Sequence, residues 1–275
     1  MLTDYHVHLR PDERENTPER FFTRANAERY REAAAEHGID ELGVAEHVYR
    51  FSQALDVWEH PFWRTYAVDD LDGYCAFVRE DTDLKLGIEA DYIPGREDRM
   101  ANLLDARDWD FVVGSIHFVG DQSLDTEEFS IWTETASAER IWQRYFEMLG
   151  QAAQSGLFDI LAHPDLVKVW GEDRPIPDGD LRRFYYPAME VIADCDVAIE
   201  VSTAGFRKPV QQIYPAPEFL EMAIDAGKPL ALSSDAHVPE QLGHEYERAL
   251  ELLDSVGVKE IAVFENRTRR MEPLG

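Results

Sequence analysis

Short apolar runs alternate with amphipathic stretches along the whole chain. The runs near 2–8, 42–47, 85–90, 111–117, 159–163, 197–202, 230–234 and 260–264 are strand candidates. Between them, 25–37, 70–80, 96–105, 138–155, 181–194, 217–227 and 244–256 read as helices. Ser137 precedes Ala138-Glu139-Arg140, a capping box with arginine in its acidic slot. Gly38, Gly156, Gly227 and Gly257 stand where helix C-caps belong. Repeated β-then-α units predict a parallel sheet with helices outside it, in one domain over 1–275. The expected architecture is an α/β, TIM-like barrel. Eight strands fit such a barrel. The last, Ile261–Phe264, ends in no ligand-type residue, so seven ligand-bearing units fit equally. The longest irregular regions, 48–69 and 118–136, each follow a strand, where a barrel builds its substrate lid.

The apolar runs share a second property: they end in histidine, glutamate or aspartate. The first leads into His6-Val7-His8, and residues i and i+2 of a strand face the same side. Later runs end at His47, Glu89, His117, His163 and Asp235-Ala236-His237. Six of the nine histidines thus stand at predicted strand ends. In a barrel these ends converge on the active site. Six imidazoles and two carboxylates exceed the needs of one ion, since a catalytic zinc takes about three protein ligands. Two or three divalent ions are expected, with Glu89 placed to bridge. His37 sits beside a helix C-cap, and His60 and His244 read as loop or helix-start residues.

Composition narrows the function classes. The 275 residues carry a formal charge of −28, which repels phosphate backbones, so no nucleic-acid partner is expected. No apolar run is long enough to span a membrane, and Met1-Leu2-Thr3-Asp4 is unlike a secretory leader. With only Cys75 and Cys195, in no metal or redox spacing, the expectation is a cytoplasmic protein with two buried free thiols.

The ordered set His6-Val-His8, His47, Glu89, His117, His163 and Asp235-Ala-His237 resembles the polymerase-and-histidinol-phosphatase (PHP) superfamily over essentially the whole chain. The resemblance implies a trinuclear phosphoesterase on a distorted barrel of seven βα units. His6, His8, Glu89 and Asp235 would hold the first ion, and Glu89 would bridge to a second completed by His117 and His163. His47 and His237 would hold the third. Many members carry a further histidine where this chain has Glu13 and Arg14. Glu13, or Asp12 beside it, would replace that imidazole with a carboxylate, favouring harder ions such as Mn²⁺ or Fe²⁺ beside the zinc alternative.

The segment Glu200-Val-Ser-Thr-Ala-Gly-Phe-Arg207-Lys208-Pro209, followed by Ile213-Tyr214-Pro215, resembles the histidinol-phosphatase branch. Arg207 matches an arginine that reaches the substrate phosphate there, and a guanidinium fork suits that role. Lys208 is a second candidate phosphate contact. The implied reaction is hydrolysis of L-histidinol phosphate in histidine biosynthesis, with a bridging hydroxide attacking phosphorus in line. Catalytic roles fall to Glu89, Asp235 and Arg207. Asp91, on the strand face of Glu89, and the Trp58–Trp63 segment are candidate partners for the substrate's amine and imidazole. The rivals are a PHP phosphatase for another small phosphorylated metabolite and a non-catalytic metal-binding module. An amidohydrolase also begins with His-X-His, but no lysine ends a central strand here.

Overall fold

The computed structural model describes residues 1–11 and 18–275. Asp12 and Glu13, the candidate ligands of a third ion, therefore lie outside the described residues. The first strands are β1 (Thr3–Asp4), β2 (Glu41–His47), β3 (Lys85–Asp91) and β4 (Phe111–Ser115). A small antiparallel hairpin follows, β5 (Phe118–Val119) with β6 (Gln122–Ser123). Then come β7 (Ile160–Leu161), β8 (Ala198–Ser202) and β9 (Leu230–Ser233). Seven of these strands make one parallel sheet in the order β1-β2-β3-β4-β7-β8-β9. A parallel bridge between Val7 and Ala236, with His8 N donating to Ala236 O at 2.7 Å, joins first strand to last and brings the barrel near closure.

The helices α1 (Pro18–Phe21), α2 (Arg24–Glu36), α3 (Pro61–Tyr66), α4 (Leu71–Asp81) and α5 (Glu97–Asp105) belong to the first half of the chain. In the second half lie α6 (Ala138–Gln154), α7 (Arg182–Ala193), α8 (Pro217–Asp225) and α9 (Tyr246–Ser255). In α6, Ile141, Trp142, Tyr145, Phe146, Leu149 and Ala153 recur at helical spacing and are buried, so one face packs on the barrel. Ser137 Oγ accepts from Arg140 N at 3.4 Å, so the N-cap forms without its acidic partner. Among the described residues no helix is long and apolar enough to cross a membrane.

Below the strand ends the barrel holds a separate apolar core of Tyr5, Ala45, Phe111, Val113, Ile160, Ala162, Ala198 and Ala231. Alanine on several strands leaves room for the rings of Tyr5 and Phe111. Glycine does the same on β2 and β3: a Cβ on Gly43 would stand 2.7 Å from the Phe111 ring, and one on Gly87 closer still. The run at 260–264 is not an eighth barrel strand. It forms β10 (Glu260–Glu265), antiparallel to β11 (Thr268–Pro273), and adds Ala262, Val263 and Phe264 to the barrel core. The hairpin is thus a plug. Arg267 pairs with Asp159 and Arg269 with Asp196, tying it to the barrel.

The two long βα loops carry more order than expected. Residues 48–69 contain short 3₁₀ turns at Val48–Arg50 and Ser52–Asp56, then α3. Residues 118–136 contain the β5–β6 hairpin. Cys75 and Cys195 are free thiols and only partly buried, rather than core residues.

Candidate metal centre

Six of the seven barrel strands, all but β8, deliver ligand-type residues to one point. His6 and His8 leave β1, His47 ends β2 and Glu89 lies on β3. His117 follows β4, His163 follows β7, and Asp235 and His237 follow β9. Glu89 is the centre. Its Oε2 stands 3.3 Å from His6 Nε2 and 3.6 Å from His8 Nε2, and also faces His47 Nδ1. Its Oε1 stands 3.3 Å from His117 Nε2 and 3.2 Å from His163 Nε2. Asp235 Oδ1 lies 3.3 Å from His8 Nε2 and 3.7 Å from His6 Nε2. His237 Nε2 faces His47 Nε2 at 3.4 Å.

These separations fit metal ligands. Donors ~2.0–2.1 Å from a tetrahedral ion stand about 3.4 Å apart. Four triads have donor atoms within 4.8 Å of one another: His6-His8-Asp235, His6-Glu89-His163, His47-Glu89-His117 and His8-His47-His237. His6 Nε2, His8 Nε2, Glu89 Oε2 and Asp235 Oδ1 are buried with no hydrogen-bond partner among the described residues. Buried polar atoms left this way are costly unless something binds them. Two of the candidate ligands also hold left-handed backbone, His163 at φ 26° and Asp235 at φ 51°. Such strain is retained where the surroundings impose it, typically at functional sites.

The electrostatics follow from burial and pairing. Burial pushes Glu89 upward, but the imidazoles of His47, His6 and His117 outweigh it and hold the carboxyl well below its usual range. Burial pulls His117 down, yet Glu89 and Asp91 carry it up to about 10. Burial likewise opposes the charge on His6, and Glu89, Glu200 and Asp235 overcome it.

Behind the candidate ligands stands a layer of carboxylates. Glu200 Oε1 takes a hydrogen bond from Ser233 Oγ at 2.7 Å and pairs with His6 Nδ1 at 2.8 Å. Its Oε2 accepts from His163 N at 2.5 Å. Asp91 Oδ1 lies 2.8 Å from His117 Nδ1. Glu46 accepts from Leu9 N at 2.7 Å and from Arg50 Nη1 at 2.5 Å, fixing the turn after His8. Such partners set the tautomer and aim of a ligating imidazole. Asp91, expected at the substrate, is instead buried behind His117. Glu200 received no role from sequence reasoning. Its signal was a charged residue inside the apolar run Ala198-Ile199-Glu200-Val201.

A cavity of about 350 Å³ opens over the cluster and includes His47, His117, His163, Asp235 and His237 in its walls. Tyr49, Phe62, Tyr66 and Phe118 form an aromatic side, and Asp125, Glu127 and Glu128 an acidic one. Lys208 lines this cavity. Arg207 does not: its Nη2 donates to Ser234 O at 2.7 Å and Asp235 O at 2.8 Å, holding the turn that carries Asp235. Trp58 and Trp63 are core residues, and Phe62 is the member of that segment that reaches the cavity.

The PHP domain model matches residues 23–204. The chain belongs to the PHP domain family. A probable histidinol-phosphatase of Deinococcus radiodurans is 33% identical, covering 89% of this chain and 91% of that protein. The histidinol-phosphatase of Lactococcus lactis is 22% identical over 95% of this chain and 93% of its own. The crystal structure of histidinol phosphate phosphatase from L. lactis, complexed with zinc, L-histidinol and phosphate, superposes with a TM-score of 0.70 at 19% identity, covering 98% of both chains. A putative histidinol phosphatase of Listeria monocytogenes gives 0.71 at 20% identity, covering 90% of this chain and 99% of that one. The barrel is thus the PHP barrel.

Proposed function

We propose that this PHP protein hydrolyses L-histidinol phosphate to L-histidinol and phosphate, with two or three divalent ions (zinc, iron or manganese) held by the strand-end cluster. The observation that carries the reading is Glu89, whose two oxygens each face a separate set of imidazoles. A carboxylate so placed suits a bridge between neighbouring ions.

His6, His8 and Asp235 would hold one ion, His117 and His163 a second, and His47 and His237 a third, with Glu89 shared. When bound, such ions neutralise phosphoryl charge and lower the pKa of water. The chain's own residues do the rest. Glu200 and Asp91 aim His6 and His117, and Arg207 holds the Asp235 turn. Lys208 offers a cation to the phosphate at the cavity wall. The acidic and aromatic walls suit the ammonium and imidazole of the alcohol part. Among these residues, the catalytic assignment rests on Glu89 and Asp235, with Arg207 acting through Asp235.

The test is an assay of purified protein on L-histidinol phosphate and a panel of other phosphate esters, with metals quantified in parallel. A preference of about 100-fold or more for L-histidinol phosphate in kcat/KM is expected, because a polar-walled site penalises substrates that leave it unpaired. Chelation should abolish turnover and metal should restore it. Equal rates across the panel would point to another small-molecule phosphatase.

A further inference from the structure

Tyr214 lines the catalytic cavity, is 1% exposed, and its hydroxyl has no hydrogen-bond partner among the described residues. A phenol buried with its polar end unmatched is uncommon, because the hydroxyl of a buried tyrosine usually finds a partner. Its surroundings hold it firmly. Ser202 N donates to Tyr214 O at 2.7 Å and Tyr214 N to Ser202 O at 2.9 Å, pinning the residue to the end of β8. The segment around it is clamped from the turn after His163. Asp165 Oδ2 accepts from Ala216 N at 2.7 Å, and Lys168 Nζ donates to Ile213 O at 2.9 Å. Lys168 Nζ also lies 5.4 Å from the centre of the Tyr214 ring. The ring itself packs edge-on to His163 with centroids 6.2 Å apart. The residue is therefore held firmly in the cavity lining, its ring beside the candidate ligand His163 and its hydroxyl buried and unmatched.

We propose that Tyr214 is a further substrate contact, its hydroxyl donating a hydrogen bond to a non-bridging oxygen of the transferring phosphoryl group. This rests on the phosphatase reading above. No proton is transferred: the donor stays un-ionised and its bond strengthens as charge grows on the phosphoryl oxygens. Its rigid mounting means that no reorganisation is needed when the ester arrives.

The test compares wild type with Tyr214→Phe, which removes only the hydroxyl, both metal-loaded and matched for metal content and circular dichroism. The expected loss in kcat/KM is about 10–100-fold, the same on L-histidinol phosphate as on p-nitrophenyl phosphate. Inorganic phosphate, titrated calorimetrically into both proteins, should bind the variant several-fold more weakly. Unchanged phosphate affinity overturns the proposal, as does a loss confined to the alkyl ester, which would place the hydroxyl on the leaving oxygen. If wild type hydrolyses neither ester, the phosphatase reading fails, and the phosphate titration still decides the Tyr214 contact.

Discussion

Asp91 shows how one carboxylate can be read two ways. Its place two residues after Glu89 suggested a face turned to substrate. In the fold it backs His117 instead, 2.8 Å from Nδ1. The two roles separate in a measurement. Asp91→Asn should weaken metal retention by about 10–100-fold, as loss of a carboxylate behind a ligating imidazole typically does. Activity should recover in excess metal with KM little changed. A raised KM at full metal occupancy would return Asp91 to the substrate. Glu200 shares this supporting role, yet its partner His6 is 194 positions away. No local spacing links the two, so only the closed barrel reveals the pair. The eight candidate ligands themselves were legible because they stand at the ends of six apolar runs.

At the level of elements, the strands are set as much by what they lack as by what they carry. Gly43 and Gly87 admit the Phe111 ring into the barrel core. Gly87→Ala should therefore overpack that core and cost about 1–3 kcal/mol. For a chain of this size that is a fall of several degrees in the thermal midpoint. An unchanged midpoint would mean the ring has somewhere else to go. Most helices and strands fell close to their sequence-predicted places, because apolar spacing and C-cap glycines mark them. Gly38, Gly156, Gly227 and Gly257 all adopt the left-handed backbone that ends a helix. The β10–β11 hairpin was an exception, as were α3 and the β5–β6 hairpin in the long loops. The apolar run at 260–264 looks like any barrel strand, and its partner Thr268–Pro273 is exposed, arginine-rich and without an apolar pattern. Its pairing depends on the open barrel floor rather than on its own composition.

Across the whole molecule, the dominant physical fact outside the site is its charge of −28. Like charges on a compact body repel, and salt shortens their reach from about 10 Å at 0.1 M to about 3 Å at 1 M. The thermal midpoint of the metal-loaded protein should rise between these sodium chloride concentrations. A flat or falling midpoint would show that its surface ion pairs, such as Arg24–Asp81 and Arg183–Glu139, already balance the repulsion.

The hairpin at the barrel floor has one more consequence. With Ala262, Val263 and Phe264 packed at the lower end, the candidate metal cluster lies above a closed apolar floor. Among the described residues, the cavity over the cluster is therefore its approach. On the phosphatase reading, an ester that enters phosphate-first would release its products in reverse, the alcohol before the phosphate beneath it.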